Sequence, residues 1–185
     1  MKELQKSQKN EFELDVVSVR LVKDAPMFSE HPFTNPKEVV AVLGEYMCEL
    51  DREVVCVINL KTDLKPINVH FASMGALNEA MAHPRELLKA SILSNAASIM
   101  LVHCHPSGNL FPSKSDTMMT DRINTICELM GIPLQDHIIV GGSNKEYFSF
   151  REKELIKVPN ISLSQDYKTF NMQSSLVAEK GKSRG

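Results

Sequence analysis

Hydrophobic residues along this chain alternate between short apolar runs and longer stripes at helical spacing. Runs that are continuously apolar, or that alternate with polar residues, predict strands over residues 14–22, 53–60, 66–72, 96–102, 134–140 and 146–150. Apolar residues three and four positions apart predict helices over residues 37–49, 84–94 and 116–130, with a last helical turn at 151–155. This alternation predicts an α/β fold in which a mixed sheet is flanked by helices.

The helix ends carry recognisable capping residues. Asn35 followed by Pro36 predicts the N-cap and first residue of the first helix, and Gly131 predicts the end of the third. The residues predicted to face the core are Val39, Val40, Leu43, Tyr46 and Met47 in the first helix, Leu87, Leu88, Ser91 and Ile92 in the second, and Met119, Ile123, Ile126, Cys127 and Met130 in the third.

The same pattern divides the chain into three parts. Residues 1–13 are polar and lysine-rich, which predicts a frayed N-terminus. Residues 14–157 hold all the predicted elements, so we expect a single domain with its own core. From residue 158 the pattern fades, and the basic, polar end predicts a flexible C-terminal tail over residues 158–185.

Composition narrows the function classes. The net charge of −2 predicts no general attraction to nucleic acid. No apolar run has transmembrane length and no signal-peptide core is visible, so we expect no membrane association and a cytoplasmic location. The four cysteines lack CxxC spacing and lie in apolar segments, which predicts reduced, buried side chains.

The candidate metal-binding residues follow the predicted strand at 96–102. His103 and His105 are two positions apart, so they should share one face of the strand while Cys104 points to the other. Pro106 and Gly108 then end the strand, and Ser113 to Asp116 opens the next helix. This arrangement brings two imidazoles towards a carboxylate.

Two imidazoles and one carboxylate form a catalytic zinc set, with a fourth position left for water. Zinc lowers the pKa of that water to about 7. Two other interpretations stay open for single residues: a histidine at a strand end is often structural, and Ser113 with Asp116 also fits a capping box. Neither explains why two histidines share one face.

The motif His-x-His, ten residues, then Asp, with Ser three positions before the Asp, resembles the JAMM motif of JAB/MPN-domain metalloproteins. The flanking segments His83 to Glu86, Pro106 to Gly108 and Asp136 to Gly141 resemble its RadC-like branch. The resemblance covers about residues 35–155. It implies a curved mixed sheet between helices, the cytidine-deaminase-like fold, with Zn²⁺ held by His103, His105 and Asp116.

The resemblance also implies roles for further residues. A glutamate at the start of an early strand acts as the acid/base in this family, and Glu53 is in the matching position. Ser113 matches the serine that stabilises the developing oxyanion. Glu86 is the competing carboxylate, although its place in the first turn of a helix is also electrostatically favourable. His137 is a candidate hydrogen-bonding partner behind a ligand.

Three functions follow from these observations. The first is a zinc-dependent metallopeptidase or isopeptidase that acts on a protein or peptide. The alternative is a DNA-repair or DNA-processing accessory protein, the role attached to the RadC name. The stretch before the first predicted helix is too short for the helix-hairpin-helix segment of longer relatives, which weakens this alternative. A metal-free scaffold ranks last, because the motif keeps every ligand.

Overall fold

The computed structural model describes residue 18 and residues 20–74, 83–141 and 143–157. Within these residues the chain forms three helices and five strands, in the order α1 (Pro36–Cys48), β1 (Val54–Leu60), β2 (Pro66–Met74), α2 (Pro84–Leu93), β3 (Ser98–Cys104), α3 (Lys114–Met130), β4 (Leu134–Gly141) and β5 (Ser143–Ser149). The predicted ends at 1–13 and 158–185 lie outside the described residues, so those two expectations stay predictions.

The five strands form one mixed sheet in the order β2-β1-β3-β4-β5. β1 pairs antiparallel with both β2 and β3, and β5 pairs antiparallel with β4. β3 and β4 are parallel, and α3 connects them, as a parallel pair requires a crossover. The predicted α/β fold with a mixed, helix-flanked sheet is therefore confirmed.

Hydrophobic residues are buried on both faces of this sheet, because every residue of the central strands β1 and β3 is buried. Alternate residues of each strand enter opposite cores. The α1-side core includes Leu43, Met47, Cys56, Ile58, Val102 and Ile138. The α3-side core includes Val57, Leu87, Leu101, Ile123 and Cys127.

The helix ends follow the local capping chemistry. The Asn35 side chain accepts a hydrogen bond from the Glu38 N–H, and the Glu38 side chain accepts from the Asn35 N–H, which is a complete capping box. Gly131 ends α3 in the left-handed conformation (φ 66°) that glycine adopts without a Cβ penalty. Both predicted boundaries are confirmed.

The predicted first strand is wrong in its described part, because Ser18 and residues 20–22 are not in a strand. Val22 is 87% exposed, so its β-branched side chain has no core to pack against. The sequence also predicts more core-facing residues on the helices than the structure buries. Tyr46, Ile92 and Met130 are 46%, 52% and 42% exposed, so the buried part of each stripe does not include them.

All four cysteines are free thiols. Cys56, Cys104 and Cys127 are buried, as predicted, whereas Cys48 is only half-buried. Cys104 lies opposite the histidines, and its thiol contacts the Met47 carbonyl oxygen at 3.0 Å on the α1 side. Among the described residues, no helix has the length and apolar character needed to cross a membrane.

Candidate metal centre

Three elements meet where β3 ends. In the antiparallel pairing of β1 with β3, Val54 lies opposite Cys104 and Val55 opposite His103. Glu53, directly before β1, is therefore brought to the histidines that end β3. The backbone N–H of His105 donates to the Val140 carbonyl at 2.8 Å, which continues the β3–β4 ladder by one residue.

Glu53, His103 and His105 form a candidate metal-binding site. Each offers one ligand atom, and these atoms lie within 4.8 Å of one another. His103 Nε2 is 4.0 Å from Glu53 Oε2. Both histidines are buried, whereas the Glu53 side chain keeps 27% exposure, so the cluster reaches from the interior to solvent.

Asp116 joins the cluster from the first turn of α3. Its Oδ1 is 3.1 Å from His103 Nδ1, and its Oδ2 is 3.5 Å from His105 Nε2. Oδ2 also accepts hydrogen bonds from the Ser113 backbone N–H at 2.7 Å and from the Ser113 hydroxyl at 2.6 Å. The capping box and the contact with the histidines therefore coexist.

His103 supplies the test of whether a metal ion fits here. Its side chain is 3% exposed and its Nδ1 is 3.1 Å from Asp116 Oδ1, but neither ring nitrogen has a partner that meets the full hydrogen-bond geometry among the described residues. An unsatisfied buried polar group costs about 1–3 kcal/mol. Imidazole nitrogens beside carboxylates are ligands that suit zinc and similar divalent ions, so the residues fit a metal ion.

His105 is oriented by its neighbouring loop. Its Nδ1 is 2.7 Å from the carbonyl oxygen of Asn109. A carbonyl can only accept, so Nδ1 carries the proton and Nε2 presents its lone pair towards the site. The His105 and His103 rings meet edge to face with their centroids 4.5 Å apart.

Burial and charge shift the acid–base properties of two site residues. Burial on its own raises the pKa of Asp116, but contacts with His103, His105 and Ser113 outweigh it and hold the pKa far below its usual range. The Asp116 carboxylate raises the pKa of His105 against the effect of burial. In the absence of a bound cation, Asp116 therefore favours a protonated His105.

The two further candidates have different surroundings. His137 is fully buried, and burial lowers its pKa to about 3. Its ring lies parallel to that of His103, with the centroids 6.1 Å apart. Glu86 instead contacts Lys89 at 2.6 Å and Arg85 at 3.8 Å on the exposed start of α2. The structure thus brings His137, but not Glu86, against the site.

Three residues near the site were missed by the sequence interpretation. They are Asn109, whose carbonyl orients His105, Gly141, which packs against His105, and Thr120, which contacts His137. Only Thr120 could have been found from the sequence, because it is four positions after Asp116 and therefore lies one helical turn away on the same face. The other two depend on how the chain returns past the end of β3.

The family model described as "RadC-like JAB domain" matches residues 33–155. The chain therefore belongs to the RadC-like JAB domain family. The UPF0758 protein of Clostridium beijerinckii is 40% identical over 123 residues, which are 66% of this chain and 53% of that protein. The UPF0758 protein of Thermotoga maritima is 41% identical over 107 residues, which are 58% of this chain and 47% of that protein.

A third relative, the UPF0758 protein of Methanosarcina acetivorans, is 33% identical over 140 residues, which are 74% of this chain and 60% of that protein. These names specify no reaction. The chain spans about half the length of the curated relatives that it matches.

Proposed function

We propose that this chain is a zinc-dependent metallohydrolase that cleaves peptide or isopeptide bonds. The observation that carries the proposal is the buried His103, whose two ring nitrogens lack hydrogen-bond partners in the described part of the chain while carboxylates lie beside both. Membership of the RadC-like JAB family supports the same chemistry. The substrate class is a protein or peptide.

In this proposal His103, His105 and Asp116 hold the metal ion. Zinc bound by such a set supplies a Lewis acid and a water molecule whose pKa is lowered to about 7. Glu53 is the acid/base: an Oε atom takes a proton from the attacking water and delivers it to the nitrogen of the leaving amine. Its partial exposure of 27% fits this role, because the carboxylate must meet both the site and the substrate.

Ser113 has two roles to reconcile. Its hydroxyl donates to Asp116 Oδ2 at 2.6 Å and accepts from the Asp116 backbone N–H at 3.1 Å. These contacts fix the Asp116 carboxylate beside the histidines. Stabilisation of a substrate oxyanion requires the hydroxyl to donate elsewhere, so that role stays a prediction.

The metal content of purified variants tests the ligand set. We expect about one zinc ion per chain in the wild type, and loss of zinc in His105→Ala and Asp116→Asn, because each removes a ligand. Glu53→Gln should keep zinc and lose about 10²–10⁴-fold in hydrolysis of a peptide library, because only the proton carrier is changed. Glu86→Gln is the matched control, a carboxylate change outside the cluster.

The outcomes separate the alternatives. Equal zinc in the wild type and in His105→Ala would overturn the metal centre. Loss of zinc in Glu53→Gln but not in Asp116→Asn would make Glu53 the ligand in place of Asp116, in keeping with the Glu53, His103 and His105 cluster. The alternative DNA-processing role stays a prediction, and a DNA-binding assay tests it, since phosphate contacts produce a steep dependence on salt.

A further inference from the structure

The hydroxyl of Thr120 joins α3 to β4 behind the candidate metal centre. Thr120 Oγ1 is 2.6 Å from the Asp116 backbone carbonyl oxygen, one turn earlier in α3. The same atom is 2.6 Å from His137 Nδ1 on β4. Thr120 is 4% exposed and His137 is fully buried, so water does not compete for these contacts.

The donor and acceptor capacity of each group determines where the protons lie in this series of hydrogen bonds. The Asp116 carbonyl can only accept, so the single Thr120 hydroxyl proton must be donated to it. The Thr120 oxygen then accepts from His137, which places the His137 proton on Nδ1. His137 Nε2 is then left unprotonated, and it has no hydrogen-bond partner among the described residues.

The ring of His137 is also held by packing. It lies between the His103 ring, 6.1 Å away at an interplanar angle of 8°, and the Phe150 ring, 4.9 Å away at 7°. His137 pairs with Leu101 across the parallel β3–β4 ladder, two residues before His103. Through Thr120, the first turn of α3 is therefore linked to a side chain whose ring lies between two other rings.

We propose that Thr120 and His137 are positioning residues: the relay from His137 Nδ1–H through the Thr120 hydroxyl to the Asp116 carbonyl sets where the Asp116 carboxylate stands relative to His103 and His105. Its effect on metal binding rests on the proposed function. The hydrogen-bond relay itself does not, and it can be tested separately.

The same helix supplies a matched control. Thr125 Oγ1 donates to the Asp121 carbonyl at 3.0 Å, the same bond to a residue four positions earlier. That hydroxyl makes no second hydrogen bond within the part of the chain that the structure describes. A Thr→Val change removes the hydroxyl and keeps the branched shape. Thr125→Val therefore controls for loss of the bond within α3 at a partly exposed position, whereas Thr120→Val, at a buried position, also loses the link to His137.

The experiment has two readouts on the 185-residue chain. In the metal-free protein, ¹⁵N–¹H NMR of histidine side chains should show His137 as the Nδ1–H tautomer in the wild type and in Thr125→Val, with that pattern lost in Thr120→Val. Competition with a zinc chelator should show about 10–100-fold weaker zinc binding for Thr120→Val and less than a twofold change for Thr125→Val. Thr120→Ser keeps the hydroxyl and should restore tight binding.

An Nε2–H tautomer in the wild type would overturn the relay, and wild-type zinc affinity in a folded Thr120→Val would overturn its positioning role. If Thr120→Val does not fold, His137→Phe keeps a flat ring between His103 and Phe150 and should show the same loss of affinity. A wild type that binds no zinc but shows the Nδ1–H tautomer would overturn the proposed function and the effect on metal binding, while leaving the relay in place.

Discussion

Asp116 serves the helix and the site at once, because a carboxylate has two oxygens and about four positions for hydrogen bonds. Oδ2 accepts from the Ser113 backbone and side chain, while Oδ1 is turned to His103. From the sequence, the capping box and the ligand were competing interpretations of this residue. The structure makes them compatible, since capping fixes the carboxylate in the direction that faces the histidines.

Gly141 allows the end of β4 to approach the site. A Cβ at this position would collide with the carbonyl oxygen of His105 and lie 3.3 Å from the Gly108 Cα. Both neighbours are backbone atoms and cannot rotate away. We therefore predict that Gly141→Ala shifts His105, weakens zinc binding measured by chelator competition, and lowers the free energy of unfolding by about 1–3 kcal/mol.

Gly131→Ala is the matched control for this prediction. Gly131 has φ +66° and no atom within 4 Å of an added Cβ, so its substitution should cost about 1–2 kcal/mol from backbone strain alone. We expect similar destabilisation in the two variants, with zinc affinity reduced only in Gly141→Ala. Equal zinc affinity in both would contradict the role of Gly141 at the site.

The part of the site that could be predicted is the part encoded by local spacing. His103 lies on the α3 side and Cys104 on the α1 side, as strand alternation requires. Gly141 and Asn109 could not be predicted, because their contacts with His105 depend on the pairing of β3 with β4 and on the path of the loop after the strand. Spacing along the chain carries no information about either.

At the level of whole elements, boundaries were predictable wherever side chains or glycine satisfy the backbone at a helix end. The Asn35–Glu38 capping box and the left-handed Gly131 are such cases. The first predicted strand was wrong in its described part, because a strand depends on residues that are distant in the sequence. A strand is stabilised by its neighbours, and β-propensity at residues 20–22 cannot substitute for a partner strand.

Asp136 links β4 to β5 and to the turn that follows. Its Oδ2 accepts from the Ser149 hydroxyl at 2.6 Å, and its Oδ1 accepts from the Arg151 backbone N–H at 2.9 Å. Burial raises the pKa of this carboxyl against the effect of those hydrogen bonds. The folded state therefore keeps the Asp136 proton to higher pH than the unfolded state, whose pKa is about 3.9.

The sign of the resulting pH dependence follows directly. Between the unfolded pKa and the raised folded pKa, the folded state binds more protons, so the contribution of Asp136 to stability falls as pH rises. We predict that the unfolding free energy of the wild type minus that of Asp136→Asn decreases as the pH rises above about 4, measured by chemical denaturation of the metal-free protein.

Ser149→Ala provides the companion measurement. It removes a hydrogen bond that favours the ionised carboxylate, so its stability should fall more steeply with pH than that of the wild type. An increase in the difference between wild type and Asp136→Asn over the same pH range would mean that the hydrogen bonds outweigh burial, and the assignment of a raised pKa would be wrong.

At the scale of the whole molecule, one sheet separates two cores, and the candidate metal centre lies where β3 ends and where β1 and α3 begin. β1 and β3 contribute alternate residues to both cores, so disruption of these central strands affects both cores. The net charge of −2 predicts no general attraction to phosphate backbones, which agrees with a protein or peptide as the proposed substrate.

The shared sheet predicts that the two cores unfold together. Cys56 reports on the α1-side core and Cys127 on the α3-side core, and burial raises the pKa of each thiol to about 12. Both thiols should resist alkylation in the folded protein, because the thiolate is the reactive form. We predict that mass-spectrometric labelling of both across a denaturant series has one common midpoint.

Cys48 is the internal control in the same experiment. It is half-buried near the end of α1, so it should be labelled at lower denaturant concentration, before the sheet is disrupted. Its early reaction would demonstrate that the reagent is active under folding conditions. Separate midpoints for Cys56 and Cys127 would mean that one helical layer detaches while the other stays packed, and the sheet would then not couple the two cores.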